Sequence, residues 1–223
     1  MSVISAEKVD NLFWLGRYVE RAFTTVKFFM EKSDQMLDGE DDLYIKACDG
    51  LGLDNVYESN MDFIARYPFD ESNPKSIASC FNRAMDNAII LRETVGSETL
   101  SYLQLAQYDL KEAANSPMDI LDLQSVLDHI FAFWGSLEDN VFSEDTRNLV
   151  KAGKRLERLD LLLRLGSPVQ SQLIAAYQRL KVRLERSPIN FNEDNFATLY
   201  DIITAEPFDK WNAVSLLSKV MEN

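Results

Sequence analysis

The amino-acid sequence predicts an all-α protein, arranged as an antiparallel helical bundle. Apolar residues recur at alternating steps of three and four along most of the chain, which is the spacing of one face of an α-helix. Helix-start and helix-stop signals separate these segments. The sequence has no convincing run with the two-residue period of a strand, so neither a hairpin with an Asn-Gly or Asp-Gly turn nor a sheet is expected.

Ten helices are expected, and proline, glycine and serine mark their boundaries. Asn73-Pro74 predicts the start of the fourth helix, with Asn73 as the N-cap and proline in the first turn, where its missing N–H costs nothing. Ser116-Pro117 and Ser167-Pro168 repeat this pattern for the sixth and eighth helices. Gly96-Ser97 ends the fourth helix and caps the fifth, and Ser143 caps the seventh. Because the connections are short, sequential helices should pack against one another within one domain, residues 1–223. The predicted ranges are roughly 5–37, 41–50, 58–66, 74–95, 98–114, 118–139, 144–165, 168–186, 193–204 and 208–221.

The charge of the chain excludes a general nucleic-acid-binding function. The formal net charge is −13, whereas binding to phosphate backbones requires a basic surface. Residues 151–186 differ from the rest, because they contain nine basic and three acidic side chains and so carry +6. This stretch is either a set of solvated helix faces or a surface for an anion or an acidic partner.

Cysteine content and hydropathy predict a cytoplasmic protein. Cys48 and Cys80 lie in apolar segments without metal-binding or redox spacing, so we expect both to be reduced core residues. The first residues lack the features of a secretory signal, and no apolar run approaches the ~18 residues that span a bilayer.

The motif G-x-x-x-E-R occurs twice, 137 residues apart. The first copy contains Gly16, Glu20 and Arg21. The second contains Gly153 and a Glu-Arg pair at 157–158, and both lie at the same offset from a helical apolar stripe. This agreement in letters and phase predicts an internal duplication with two equivalent helices. The stripes are Leu12, Leu15, Val19, Ala22, Val26 and Phe29 in the first copy, and Leu149, Ala152, Leu156, Leu159 and Leu163 in the second.

Two interpretations of the repeated charged pair remain open from residue chemistry. In the structural one, Glu20 pairs with Arg158 and Glu157 pairs with Arg21, so that the pairs fix how the two helices meet. In the functional one, the arginines form an anion or carboxylate site, because a guanidinium recognises such groups through two parallel hydrogen bonds.

Other chemistry-bearing residues give weaker signals. His129 is the only histidine, and in an apolar helix we expect it to be a hydrogen-bonded core residue. A ferritin-like di-metal site needs two Glu-x-x-His motifs, which are missing, so no metal site is expected. Arg83 and Asn87 stand one turn apart and could bind a polar ligand, and Arg92 follows on the same segment.

Three stretches together resemble the alpha-E family, a family of all-helical bacterial domains with a Glu-Arg motif. They are AEKVDNLFWLGRYVERAFTTVKFF (6–29), NPKSIASCFNRAMDNAIILRETVGSE (73–98) and AGKRLERLD (152–160). The resemblance covers residues 5–166, and it adds Arg17 and Tyr18 to the candidate motif residues. In the second copy, Lys154 and Arg155 stand where the family pattern has Arg and Tyr. Family members are usually longer, so residues 167–223 resemble an abbreviated C-terminal part.

The resemblance implies a role in ATP-dependent amide or peptide ligation. Alpha-E proteins are typically encoded beside circularly permuted ATP-grasp proteins and transglutaminase-like proteins, which are the partners that the resemblance implies. This chain would then be an accessory component that binds the ligase or presents a carboxylate or peptide substrate. ATP and Mg²⁺ would enter through the partner, with no cofactor bound directly. The alternatives are an enzyme that uses Glu20 or Glu157 in acid–base chemistry and a purely structural bundle. The aromatic-rich first helix could serve the core or a homodimer interface.

Overall fold

A computed structural model describes residues 4–39, 42–115, 122–166 and 168–221, and in these ranges the chain forms eleven α-helices and no strand. The all-α prediction is therefore confirmed. The helices are α1 (Ala6–Leu37), α2 (Leu43–Leu51), α3 (Asn60–Arg66), α4 (Ile77–Ile90), α5 (Arg92–Val95), α6 (Ser97–Asn115), α7 (Asp122–Asn140), α8 (Glu144–Leu165), α9 (Gln170–Glu185), α10 (Glu193–Thr204) and α11 (Lys210–Lys219). None of the described helices combines the length and the apolar character that crossing a membrane requires.

Helix α1 is the central element of the bundle. The hydroxyl of Ser5 caps its first turn by accepting a hydrogen bond from the backbone N–H of Lys8. Its 32 residues span about 48 Å at 1.5 Å per residue. The predicted apolar stripe is buried along its whole length, from Leu12 to Phe29, and α1 packs mainly against α8 and α4.

Helices α1 and α8 run parallel to each other where they cross. Near the crossing point Gly16 lies against Val150, and further along both helices Glu20 contacts Arg158. Because the contacts advance along both helices together, the pair is parallel, as two copies of one duplicated helix can be. The connections from α6 to α7, from α8 to α9 and from α10 to α11 join packed sequential neighbours, as the bundle prediction requires.

Two clusters of buried side chains form the core, and α8 belongs to both. The larger cluster surrounds α1 and includes α2 to α7 together with Leu149 and Val150 at the start of α8. The second lies between α8 and the C-terminal helices α9 to α11, and Phe13 of α1 reaches into it. Helix α8 is thus held on one side by the centre of the bundle and on the other by the C-terminal helices.

Two predicted helix starts are wrong. Asn73 accepts a hydrogen bond from the backbone N–H of Lys75 and so forms a turn, whereas Ser76 is the N-cap of α4, accepting from the N–H of Ser79 at 3.0 Å. The predicted fourth helix also divides into α4 and α5 at Leu91. Helix α9 begins at Gln170 rather than at Pro168, since Val169 is its N-cap residue and has an extended backbone. The predicted start at 116–117 lies outside the described residues.

The cysteine prediction is confirmed and the histidine prediction is wrong in part. Cys48 and Cys80 are buried and unbonded, and burial raises the pKa of each thiol to about 11. His129 is hydrogen-bonded, since its Nδ1 lies 2.7 Å from Oδ2 of Asp109, but this pair joins α6 and α7 at a partly exposed position and not in the core.

Candidate functional site

Gly16 and Gly153 bring the backbones of α1 and α8 into direct contact. A Cβ atom added at Gly16 would lie 1.9 Å from the carbonyl oxygen of Val150, and one at Gly153 would lie 2.0 Å from that of Phe13. Since real Cβ atoms essentially never come within 3.0 Å of such atoms, any larger residue would force the helices apart. Phe13 and Val150 occupy equivalent positions in the two copies, so the crossing has approximate two-fold symmetry.

Both carboxylate oxygens of Glu157 contact arginines of α1, Oε2 through a hydrogen bond and Oε1 only through an ion pair. Nε of Arg17 donates a 2.8 Å hydrogen bond to Oε2 of Glu157, and Nη2 of Arg21 forms an ion pair at 2.5 Å with Oε1. Arg21 also lies 3.6 Å from Asp160, which accepts hydrogen bonds from Arg164 one turn along α8. Burial opposes the charge of Arg21, but the neighbouring carboxylates outweigh it and raise its pKa. This half of the crossing therefore pairs two carboxylates, Glu157 and Asp160, with three arginines.

The carboxylate of Glu20 is completely buried and only half paired. Its Oε1 accepts hydrogen bonds from Nε of Arg158 and from Oγ1 of Thr24, whereas its Oε2 has no partner among the described residues. Lys154 occupies the position that Arg17 holds in the other copy. Its ammonium lies 3.6 Å from the centre of the Trp134 ring and makes no ion pair with Glu20.

Burial disturbs the titration of both Glu20 and Lys154. It raises the pKa of Glu20, although the charges of Arg158 and Lys154 act in the opposite direction. It lowers the pKa of Lys154 to about 7, against the attraction of Glu20. The cation–π contact with Trp134 also favours the charged lysine. The ion pairing that the structural interpretation predicts is thus present on both sides of the crossing, and on the Glu20 side burial opposes the charges of Glu20 and of Lys154.

Arg17, Tyr18 and Arg83 come together on the outer side of α1. Tyr18 stacks on Trp14 with ring centres 5.4 Å apart. The guanidinium of Arg17 lies 4.5 Å from the centre of the Trp14 ring, and that of Arg83 lies 5.7 Å from the centre of the Tyr18 ring. Trp14 is 40% exposed. We call Trp14, Arg17, Tyr18 and Arg83 the aromatic–arginine ladder.

The other candidate residues from the sequence make local contacts away from the crossing. The side-chain amide of Asn87 donates to the backbone carbonyl of Arg83 at 3.0 Å, so it serves α4 itself. Nε of Arg92 donates to the hydroxyl of Ser97. Asn73 stabilises its own turn and donates to the hydroxyl of Tyr57. The structure does not bring these three residues to one site.

The sequence did not lead to Asp160 as a site residue, nor to the contact of Lys154 with the Trp134 ring. The signal for Asp160 was its position three residues after Glu157, which places both carboxylates on the same face of α8. The signal for Lys154 was its departure from the family pattern at the position equivalent to Arg17. Among the described residues, no group of three or more His, Cys, Asp or Glu side chains is arranged to hold a metal ion.

Comparison with known proteins gives one match. The sequence model of the Alpha-E family, described as a predicted alpha-helical domain with a conserved ER motif, matches residues 5–186. The match therefore continues past the second Glu-Arg element and through α9. No match to this chain was found among curated proteins or among solved structures. With two Glu-Arg elements paired across the crossing of two central helices, and with most of its length matched, the chain belongs to the Alpha-E family.

Proposed function

We propose that this chain is a helical accessory component of an ATP-grasp-dependent amide or peptide ligation system, and that it binds the ligase rather than catalysing the reaction. The observation that carries the proposal is the burial of the two motif carboxylates. Glu20 and Glu157 are 0% and 1% exposed, and each is paired with arginine across the crossing of α1 and α8. An acid–base residue must reach the proton that it transfers. Carboxylates enclosed in this way fix the geometry of the bundle instead.

The ligase partner follows from the family resemblance. A circularly permuted ATP-grasp protein would bind ATP and Mg²⁺ and activate a carboxylate, and a transglutaminase-like protein is a further partner. This chain would hold the ligase or present the carboxylate or peptide substrate to it. The aromatic–arginine ladder suits such a contact, because aromatic residues and arginine are enriched at protein interfaces.

Substrate-dependent ADP release by the neighbouring ATP-grasp protein tests the proposal, measured with and without this chain. We expect the chain to raise the turnover of the ligase. Arg83→Ala should weaken this effect, because the substitution removes an exposed guanidinium from the aromatic–arginine ladder. Lys181→Ala is the matched control, since it removes an exposed cation from α9. Turnover that does not depend on this chain, across a range of carboxylate and amine substrates, would refute the proposal.

A specific observation favours an enzymatic role as the second candidate. Glu20 has an unpartnered oxygen and a raised pKa, and it lies near Lys154, whose pKa falls to about 7. Such shifts are common among acid–base catalysts. If this chain is an enzyme, it should turn over substrate in the absence of the ligase. Glu20→Gln should then abolish this turnover without changing the melting temperature. A purely structural bundle predicts neither turnover nor an effect on the ligase.

A further inference from the structure

A cavity of about 330 Å³ lies between α8 and α9, on the outer side of the Glu20 half of the crossing. Arg155, Arg158 and Leu162 line it from α8, at the spacing of one helical face. Arg179 and Gln172 line it from α9, and between them two alanines, Ala175 and Ala176, leave the space open. Its volume falls in the range of small-molecule sites, which begins at about 300 Å³.

The three arginines of this cavity have most of their donors unused. Arg155 and Arg179 form no hydrogen bond or ion pair with any described residue. Arg158 uses its Nε to bind Glu20, and its two terminal nitrogens donate to no described residue. Glu20 therefore orients Arg158 from behind while the outer edge of the guanidinium remains available. Such a fork is suited to two parallel hydrogen bonds with an oxyanion.

Among the residues that the structure describes, no carboxylate lines the cavity to balance these charges. Burial lowers the pKa of Arg155, and the positive charges of Arg158, Arg179 and Arg183 lower it further. The equivalent region of the other copy differs, because there Asp160 adds a second carboxylate beside Glu157. Phe23 holds the position of Asp160 in the Glu20 copy, and Tyr18 holds that of Arg155. The cavity thus has three guanidiniums, whereas on the Glu157 side two carboxylates stand among the arginines.

A solvated basic face accounts for only part of this arrangement. Arg179, Gln172 and Ala175 on the α9 side are exposed, whereas Arg155 and Arg158 on the α8 side are only partly exposed and line a hollow between the two helices. With Glu20 counted, three guanidiniums leave a surplus of about two positive charges. A phosphate monoester carries about −1.5 to −2 at pH 7, and a carboxylate carries only one negative charge.

We propose that the cavity lined by Arg155, Arg158 and Arg179 binds the phosphate group of a small molecule. Arg158, oriented by Glu20, and Arg155 bind the phosphate oxygens from α8, and Arg179 closes over them from α9. Gln172 lies at the end of the cavity, where it can contact the remainder of the ligand. This site does not depend on the partnership with a ligase.

Isothermal titration calorimetry with inorganic phosphate and pyrophosphate, at constant ionic strength, tests the site. We expect both to bind and to raise the melting temperature more than succinate does. Arg155→Gln and Arg179→Gln should each weaken phosphate binding by about tenfold or more, because each removes a charge-assisted hydrogen-bond donor. Arg186→Gln is the control: it removes an exposed arginine of the same basic stretch that does not line the cavity.

Several outcomes would overturn the assignment. These are the absence of phosphate binding, an equal loss in Arg186→Gln, and tighter binding of succinate than of pyrophosphate. A lipid headgroup is the other source of a phosphate, so sedimentation with vesicles that contain phosphatidic acid forms a second arm. Sedimentation that is lost in Arg155→Gln would overturn the small-molecule assignment.

The melting temperature without phosphate provides a separate check. Arg155→Gln should melt at or above the wild-type temperature, because it removes one of several adjacent positive charges. A clearly lower value would show that Arg155 holds the fold together, and would overturn its assignment as a ligand-binding residue.

Discussion

Substituting Gly16 with alanine should destabilise the protein, although alanine is the better helix former. To move the added Cβ from 1.9 Å to 3.0 Å from the carbonyl oxygen of Val150, the helices must separate by at least about 1.1 Å. The same movement would lengthen the 2.8 Å hydrogen bond between Arg17 and Glu157 to at most about 3.9 Å, which is beyond hydrogen-bonding distance. Overpacking costs about 1–3 kcal/mol and the lost charged hydrogen bond about 1.5–3 kcal/mol, against a gain of about 1 kcal/mol in helix propensity. The expected net loss is roughly 1.5–5 kcal/mol.

Thermal and urea denaturation measure this loss, with Gly135→Ala as the matched control. Gly135 also lies inside a helix, α7, but outside the adjacent backbone of α7 no atom of the described residues lies within 4 Å of a Cβ added there. Gly135→Ala should therefore gain about 1 kcal/mol, or about 2–4 °C in melting temperature. Gly16→Ala and its equivalent Gly153→Ala should both melt at least about 3 °C below the wild type. If Gly16→Ala melts at or above the wild-type temperature, the two backbones do not meet as described.

The two halves of the crossing should respond differently to further substitutions. Arg21→Ala should cost about 3–5 kcal/mol, measured by urea denaturation, because it leaves the buried carboxylate of Glu157 short of one partner. Glu157→Gln should likewise be destabilising, and more so than Glu20→Gln, because burial raises the pKa of Glu20 and so favours its neutral form; equal losses in the two would contradict the asymmetry. Burial raises the pKa of Glu20, so the folded state keeps that proton where the unfolded state has lost it, and stability should fall as pH rises from 4.5 through the raised value. Glu20→Gln should remove that part of the fall in a series of melts across pH. Burial lowers the pKa of Lys154 to about 7, so the unfolded state holds the extra proton, and stability should rise between pH 7 and 10.5. Lys154→Met should lose this rise, and an unchanged pH profile would show that the lysine is solvated.

Helical periodicity predicted most of the fold because each helix carries its own signal. The range predicted for the seventh helix, 144–165, coincides with α8, where Ser143 accepts a hydrogen bond from the N–H of Thr146. The start of α4 was misplaced because two capping residues compete within a few positions. Asn73 has the stronger sequence signal beside a proline, but its carbonyl and side chain are used by the turn that precedes Ser76. Such a choice depends on local hydrogen bonding that spacing does not determine.

The pairing across the crossing could be predicted from the sequence, whereas the contact of Lys154 with Trp134 and the cavity beside α9 could not. The duplicated motif led to the pairing of Glu20 with Arg158 and of Glu157 with Arg21, since equivalent residues of two facing copies must meet. That Lys154 turns toward Trp134 depends on α7, which carries no part of the motif. The cavity depends on α9 as well, because Ala175 and Ala176 create its space and Arg179 its third charge. Contacts between helices distant in sequence give no periodic signal.

The asymmetry between the two copies indicates how a duplicated structural element can acquire a binding site. A symmetric crossing would need the same charged set on both helices, with arginine at 154 as at 17. The present chain keeps the glycines and the Glu-Arg pairs, which the close approach of α1 and α8 requires, and differs at the neighbouring positions. On the Glu157 side those differences add Asp160, which pairs with Arg21 and Arg164. On the Glu20 side they add Arg155 and place Phe23 where a carboxylate would stand, which leaves Arg158 with donors to spare. Because the buried pairs already fix the helices, the outer positions are free to carry charges that the fold does not need, and the surplus lies where α9 leaves room for a ligand.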